Sequence, residues 1–412
     1  MRILHVNKFL YRRGGAESYL LDLAELQRER GDRVAFFSMR HPDNLTVPYE
    51  EHFPRHIEMN PLPRGPLGKL RGAGRMLWSR SARRGIGKVI ADFEPDVAHL
   101  HNIYHQLSPS VLAALRTAGV PMVMTLHDYK LACPSYSFLD KGTPCTACVG
   151  GSLREPVKRR CKGGSLSASM AVALETWLHR RFDAYDPVHR FICPSRFMAG
   201  QLTQAEIFPD RLRILDHFAD DGGSPAKTVP GGPLVCVGRL SPEKGFDVAI
   251  KALGMLRGFG ELVIAGDGPE RMALERMADE VAPGRVRFTG RLPKEEVLRL
   301  IQSATALLIP SRWYENQPMT ILEAFACGVP VIGTTLGGIP ELVVDGATGK
   351  LVPPDDPLAL SSAALALLKN PQETLEMGRS CREVARRRFS PEGHYAGLRE
   401  IYREAVKAAN SS

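Results

Sequence analysis

The sequence predicts an α/β protein made of two doubly wound, parallel-sheet domains that face one another across a central cleft. Three observations carry this expectation. The chain has 412 residues, and at roughly 150 residues per domain two domains are expected. Short apolar runs without polar alternation recur along it, bounded by Gly, Pro and Asp, which suits parallel strands covered on both faces. A stretch rich in Gly, Pro and Asp, without any period, divides this rhythm into two at residues 216–232. Open sheets of this kind take ligands beyond the carboxyl ends of their strands.

The elements follow in order. "RILHVN" reads as the first strand and "GAESYLLDLAELQRER" as an amphipathic helix stopped by Gly31. "RVAFFSM", "DVAHLHN", "PMVMTLH" and "RFICPS" continue an N-terminal domain over residues 1–215, with a Cys-rich insertion near 133–164. After the linker at 216–232, "LVCVG", "ELVIAG", "VRFTG", "ALLIP" and "PVIGT" supply strands to a second domain over 233–390. Residues 391–412 are expected to form a C-terminal helix that packs back towards the N-terminal domain.

Composition narrows the function. A net charge of +9 fits anionic partners such as nucleic acid, acidic lipid or phosphorylated ligands. Nucleic acid is the poorest of these, because no recognition motif accompanies the charge. The opening "MRILHVN" reads as a buried strand rather than a leader. No apolar run approaches the roughly 18 residues of a membrane span, so a cytoplasmic protein is expected, at most peripheral on the inner face of the membrane. The first loop, "NKFLYRRGGAES", lacks the G-x-G-x-x-G of a dinucleotide site, and no Walker sequence occurs.

The second domain holds an anion site. In "VGRLSPEKGFD" a strand ends at Gly238, and a turn forced by Ser241, Pro242 and Gly245 presents Arg239 and Lys244 beyond the sheet. A guanidinium fork and a mobile ammonium both suit phosphate oxygens. In "WYENQPMTILEAFACG" Pro318 fits the first helical position, and the helix should end at Gly328. Asn316, Gln317 and Met319 then surround a helix amino end, which favours an anion. Glu315 stands just outside that end and Glu323 about one and a half turns inside it. Carboxylates accept paired hydrogen bonds from vicinal hydroxyls, as ribose and hexose offer.

At these residues the chain resembles a known family. The Glu315/Glu323 pair within "ENQPMTILEAFACGVPVIGT" is similar to the donor-site signature of retaining GT-B glycosyltransferases, most closely glycosyltransferase family 4. "RRGGAESYL", "LHDY", "CPSRF", "VGRLSPEKGFD", "AGDGPE", "FTGRL", "GGIPELV" and "TGKLVPP" follow in the family's order and span nearly the whole chain. The resemblance implies transfer of a sugar from a UDP- or GDP-sugar to a hydroxyl of a glycan or lipid-linked acceptor, with retention and without a catalytic metal. It implies that Arg239 and Lys244 hold the diphosphate, Glu323 the ribose and Glu315 the sugar. The amides of Asn316, Gln317 and Met319 would assist, and Arg291 would lie near the base. Gly14 and Gly15 would allow close approach of the first loop, and His127 would touch the donor sugar across the cleft. His127, Arg239, Lys244 and Glu315 are the catalytic candidates. A nucleotide-sugar epimerase on a similar double fold, or a non-catalytic sugar-nucleotide-binding module at the membrane, are the competing readings.

Three further features stand outside the donor site. Cys133, Cys145, Cys148 and Cys161 have the spacing C-x11-C-x2-C-x12-C, which suits a structural four-thiolate zinc or, alternatively, an iron–sulfur cluster. Residues 63–88 carry eight Lys or Arg and no acid, interrupted by Met76, Leu77 and Trp78, a pattern for an anionic membrane surface or a solvated basic face. "HLHNIYH" presents His99, His101 and His105. With no convergent third ligand evident from spacing, acceptor contact or strand-end packing is preferred to zinc there.

Overall fold

The computed structural model describes residues 1–57, 74–220 and 229–411. In chain order its first strands are β1 (Arg2–Val6), β2 (Arg33–Phe37), β3 (Val97–Leu100), β4 (Met122–Thr125), β5 (Leu139–Asp140), β6 (Thr143–Pro144), β7 (Arg190–Cys193) and β8 (Leu212–Ile214). Six of them form one parallel sheet in the order β2-β1-β3-β4-β7-β8, and β5 with β6 forms a small antiparallel hairpin in the cysteine insertion. The second parallel sheet orders β9 (Leu234–Val237), β10 (Leu262–Ala265), β11 (Val286–Gly290), β12 (Ala306–Ile309), β13 (Val331–Thr334) and β14 (Gly349–Val352) as β11-β10-β9-β12-β13-β14. The protein is α/β with GT-B architecture. The continuous burial of β3, β4, β10, β12 and β13 is why their sequences show no alternation.

The strand orders place the site. The first sheet reverses direction between β1 and β3, the second between β9 and β12. Ligand crevices in open sheets lie at such switch points. The loops after β9 and β12 carry Lys244 and Glu315, and Gly245 lets them meet. Its φ is +68°, and a Cβ there would lie 2.0 Å from the Pro310 carbonyl oxygen. The helix Met319–Cys327 follows at once and is closed by Gly328 at φ +73°. Pro318 has ψ 115° and is the cap itself rather than the first helical residue.

The segment expected as a linker starts as packed chain. His217 and Phe218 are buried, and His217 donates its backbone N–H to Gln317 Oε1 at 2.6 Å. Residues 221–228 lie outside the described residues. The helix Pro391–Ala409 then returns to the first domain, burying Leu398, Ile401, Tyr402 and Ala405 against Ile3, Leu23, Val97, Val123 and Ile192. Glu404 anchors it by accepting from Arg190 and Arg213, both at 2.7 Å.

The basic stretch 63–88 lies partly outside the described residues. Its described part forms the helix Arg80–Phe93, whose Ala82, Ile86, Val89 and Ile90 sit in the core while Arg80, Arg83, Arg84 and Lys88 face solvent. Met76 is buried as well. Among the described residues of the segment, Trp78 is the exposed large apolar side chain, and the rest of the exposed surface is mainly charge.

Tyr402 joins the C-terminal helix to the first sheet through its hydroxyl, which meets Gln27 Nε2 at 3.0 Å and His99 Nδ1 at 2.8 Å. Tyr402→Phe leaves two buried polar partners unmet and should cost about 1–3 kcal/mol. Urea unfolding of the variant beside the wild type measures it, and equal midpoints would show that the hydroxyl contributes nothing.

Candidate active site

Lys244 and Glu315 are in direct contact. Lys244 Nζ donates to Glu315 Oε1 at 2.7 Å, and Ser311 Oγ donates to the same oxygen at 2.7 Å. Burial alone would raise the Glu315 pKa, but the Lys244 charge and these hydrogen bonds outweigh it and hold the carboxyl below its ordinary value. Lys244 also stands 5.4 Å from the centre of the Trp313 ring. Arg239 is exposed beside Gly238, and Arg291 is exposed just beyond β11. Arg312 grips Asp247 through two bonds of 2.6 and 2.7 Å, which ties the Glu315 loop to the helix behind Lys244.

The amino end of the helix Met319–Cys327 meets the first domain. Asn316 Nδ2 donates to the Leu126 carbonyl at 3.0 Å, and Asn316 Oδ1 accepts from Ser195 Oγ at 2.7 Å. Gln317 holds Asp216 and the His217 amide. Both amide side chains are thus used to join domains, which leaves the backbone N–H groups of this first turn as donors for a ligand. Gly15 faces the same helix, since a Cβ on it would lie 3.5 Å from Met319 Cγ. Neither Gly14 nor Gly15 is crowded there or at positive φ, so the protein alone does not require glycine at either position. Gly337 and Gly338, which open the "GGIPELV" stretch, are the tighter pair. A Cβ on Gly338 would lie 1.9 Å from the Asn316 carbonyl oxygen, and its N–H donates to Glu315 O at 2.7 Å.

Glu323 is half-buried on the helix Met319–Cys327. It lines a cavity of about 510 Å³ with Asp22, Leu26, Phe218, Lys294 and Met319. Lys294 Nζ bridges the domains by donating to Asp22 at 2.8 Å. Burial pushes the Glu323 carboxyl up to about 7, against the opposing pull of Lys294. Neither Arg239 nor Glu315 lines this cavity.

His127 sits above a row of buried rings. His101 Nδ1 meets His127 Nε2 at 3.0 Å, His5 Nδ1 meets His101 Nε2 at 3.1 Å, and His5 Nε2 meets Gln27 Oε1 at 2.7 Å. The amide oxygen of Gln27 can only accept, so His5 donates from Nε2. Each neutral ring then has one acceptor left, and His101 and His127 must in turn donate from Nε2. The row therefore leaves the Nδ1 lone pair of His127 as its acceptor. Burial, aided by the Lys8 charge, lowers His127 to about 3 and keeps it neutral.

Among the described residues, the only set of three or more His, Cys, Asp or Glu whose ligand atoms lie within 4.8 Å of one another is His5, His99 and His101. His5 is the third partner that spacing could not reveal, and His105 lies elsewhere, bonded to Glu175. Every ring nitrogen of the trio already has a hydrogen-bond partner, since His99 meets Tyr402 and Thr125. Packing and hydrogen bonding thus account for the trio without a metal. The four insertion cysteines form no such set. Cys133 and Cys148 are buried, Cys145 and Cys161 half-buried, and none is in a disulfide.

Burial lowers His5 and His394 to about 4 and holds His99, His101 and His217 well below 6.5. Below pH 6.5 the unfolded chain binds protons that the folded chain refuses. Stability should therefore fall as pH drops from about 6.5 to about 4, by up to about 1.4 kcal/mol per pH unit for each of the rings. Urea titrations at pH 7 and pH 5.5 should differ by several kcal/mol; equal values would show that these rings are not held neutral.

Residues 13–221 match Glycosyltransferase Family 4 and residues 232–370 match Glycosyl transferases group 1. The chain is 30% identical over 305 residues to the glycogen synthase of Mycobacterium tuberculosis, which covers 71% of this chain and 64% of that protein. It is 27% identical over 367 residues to the phosphatidyl-myo-inositol mannosyltransferase of Mycobacterium leprae, covering 87% of this chain and 84% of the relative. The crystal structure of Anabaena HepE in complex with UDP-glucose superposes with a TM-score of 0.67, at 20% identity over 100% of both chains. The chain spans less than two thirds of the length of the first curated relatives it matches, and it belongs to glycosyltransferase family 4.

Proposed function

We propose that the protein moves a sugar from a UDP- or GDP-sugar to a hydroxyl of a glycan or lipid-linked acceptor, with retention at the anomeric carbon and no catalytic metal. The observation that carries this reading is the Lys244–Glu315 contact at 2.7 Å beside a helix amino end. It offers cationic and backbone donors to a diphosphate and a carboxylate to the sugar attached to it. Arg239 and Lys244 stabilise the departing diphosphate electrostatically. Glu315 accepts from sugar hydroxyls, Glu323 from the ribose, and Arg291 lies by the base. His127 accepts a sugar hydroxyl at Nδ1. The glycolipid and glycan substrates named for the relatives support the acceptor class, and the bound UDP-glucose of the structural neighbour supports the donor class.

The two glutamates should fail differently. Glu323→Ala should weaken nucleoside diphosphate and intact donor alike, by about 1.5–3 kcal/mol. Glu315→Ala should retain diphosphate affinity, because Lys244 is set free, and lose turnover with the full donor. Calorimetry with nucleoside diphosphate beside steady-state kinetics separates them. Loss of diphosphate binding in Glu315→Ala alone reverses the assignment, and no effect of either change places the donor elsewhere.

Structural zinc at Cys133, Cys145, Cys148 and Cys161 is a separate proposal. The four thiols gather in one insertion, where burial and the neighbouring sulfurs push Cys148 up to about 12, and burial pushes Cys161 up to about 11. Such thiols stay protonated unless a cation takes them. No three of the sulfurs lie within 4.8 Å of one another, so binding would draw the insertion inwards. Metal analysis should find about one zinc per chain, lost in Cys145→Ser/Cys148→Ser. Zinc retained by that variant would assign the metal to the histidines, and neither zinc nor iron in the wild type would end the idea.

A further inference from the structure

The helix Leu166–Arg181 leaves an apolar stripe in solvent. Val172 and Ala173 are buried on its inner side together with the polar Ser169, Glu175, Thr176 and His179. Leu166, Met170, Leu174 and Trp177, followed by Phe182, point outwards and are 46–71% exposed. Steps of four, four and three residues align the first four as one stripe.

A buried ion pair holds the helix in this rotation. Glu175 is 1% exposed and accepts from Lys130 Nζ at 2.7 Å and from His105 Nδ1 at 3.1 Å. Lys130 is buried too. Turning the stripe inwards would strand both charges, which costs more than the apolar burial returns. Arg180 adds a bond to the Leu131 carbonyl at 3.1 Å.

An exposed apolar stripe of this kind marks an interaction surface, and charge identifies its occupant. Residues 152–182 contain seven Lys or Arg and two acids. One of those acids is the buried Glu175, and the other, Glu155, is paired to Arg159. Arg154, Lys158, Arg160 and Arg181 are exposed around the stripe. The helix Arg80–Phe93 extends the cationic surface, and the two regions join where His179 Nε2 meets the Leu77 carbonyl at 3.3 Å. The next residue, Trp78, is exposed under the Arg83 guanidinium at 5.7 Å. Apolar side chains and exposed tryptophans ringed by cations fit the interface of an anionic bilayer. A second copy of the chain would instead bring two sets of cations together.

We propose that the outer face of the helix Leu166–Arg181 docks on an anionic lipid surface, with Arg80, Arg83, Arg84 and Lys88 adding to the attraction. Among the described residues no helix is long and apolar enough to cross a membrane, so this is attachment at the surface. Lys130 and Leu131, which grip the inner side of the helix, come three and four residues after His127 in the chain. Resting on the transfer reading above, docking here sets a lipid-linked acceptor beside the cleft.

The test uses the full chain, sedimented with vesicles rich in phosphatidylglycerol and with vesicles of phosphatidylcholine alone. The wild type should bind the former and be released by salt. Met170→Glu/Leu174→Glu/Trp177→Glu should reduce binding by about tenfold or more, and Arg80→Glu/Arg83→Glu/Arg84→Glu should reduce it more mildly. Hydrolysis of donor without vesicles should be unchanged in both. If the first variant does not fold, Leu174→Ser/Trp177→Ser replaces it. Absence of wild-type binding, or equal binding by the apolar variant, overturns the proposal. So does a variant that changes only the oligomeric state in analytical ultracentrifugation, which would give the face to a second copy. A wild type that binds vesicles but neither transfers nor hydrolyses a nucleotide-sugar would overturn the transfer reading and leave the docking surface standing.

Discussion

Two loops from opposite sides of one switch point must meet for this site to exist, and the Lys244–Glu315 pair is where they do. A carboxylate as buried as Glu315 stays ionised only with a cation against it. The rest of the second domain serves that encounter. Gly245 lets the Lys244 turn touch the end of β12, Gly338 lets a third loop close over the Asn316 backbone, and the Arg312–Asp247 bridge fixes the two loops from behind. Replacing Lys244 alone leaves the Glu315 carboxylate buried and unmatched.

Side chains and backbone divide the work at the helix amino end. Asn316 and Gln317 are adjacent to the anion site in sequence, yet their amide groups reach the first domain and the interdomain segment. What is left for a ligand at this turn is the backbone, whose N–H groups do not depend on a rotamer. Such donors stay preorganised whether or not a ligand is present.

The sequence was most legible where structure is local. Buried parallel strands announce themselves as unbroken apolar runs, and ten of the strands of the two sheets were read directly, from "RILHVN" to "RFICPS" and "LVCVG" to "PVIGT". The helix end at Gly328 followed from glycine chemistry alone. β8 and β14 escaped because both are short edge strands in polar surroundings. The hydrogen-bonded row beneath His127 escaped for another reason. Its members come from positions as distant as His5, Gln27, His101 and Tyr402, and no spacing rule connects them. The helix Leu166–Arg181 shows the limit most clearly. Its apolar period is visible in sequence, but the period cannot say which side is inside, and Lys130 decides that from outside the helix.

The row of imidazoles also sets where a proton can go. Each ring passes its hydrogen inwards, and the last one gives it to the oxygen of the Gln27 side chain. A carboxamide relays nothing further, so the wire is blind at its inner end. In the transfer proposed above, a proton released from an attacking acceptor hydroxyl would find no exit through the protein beneath His127. In that reading its exit is on the other side of the cleft, with the phosphate oxygens of the leaving group or the water around them.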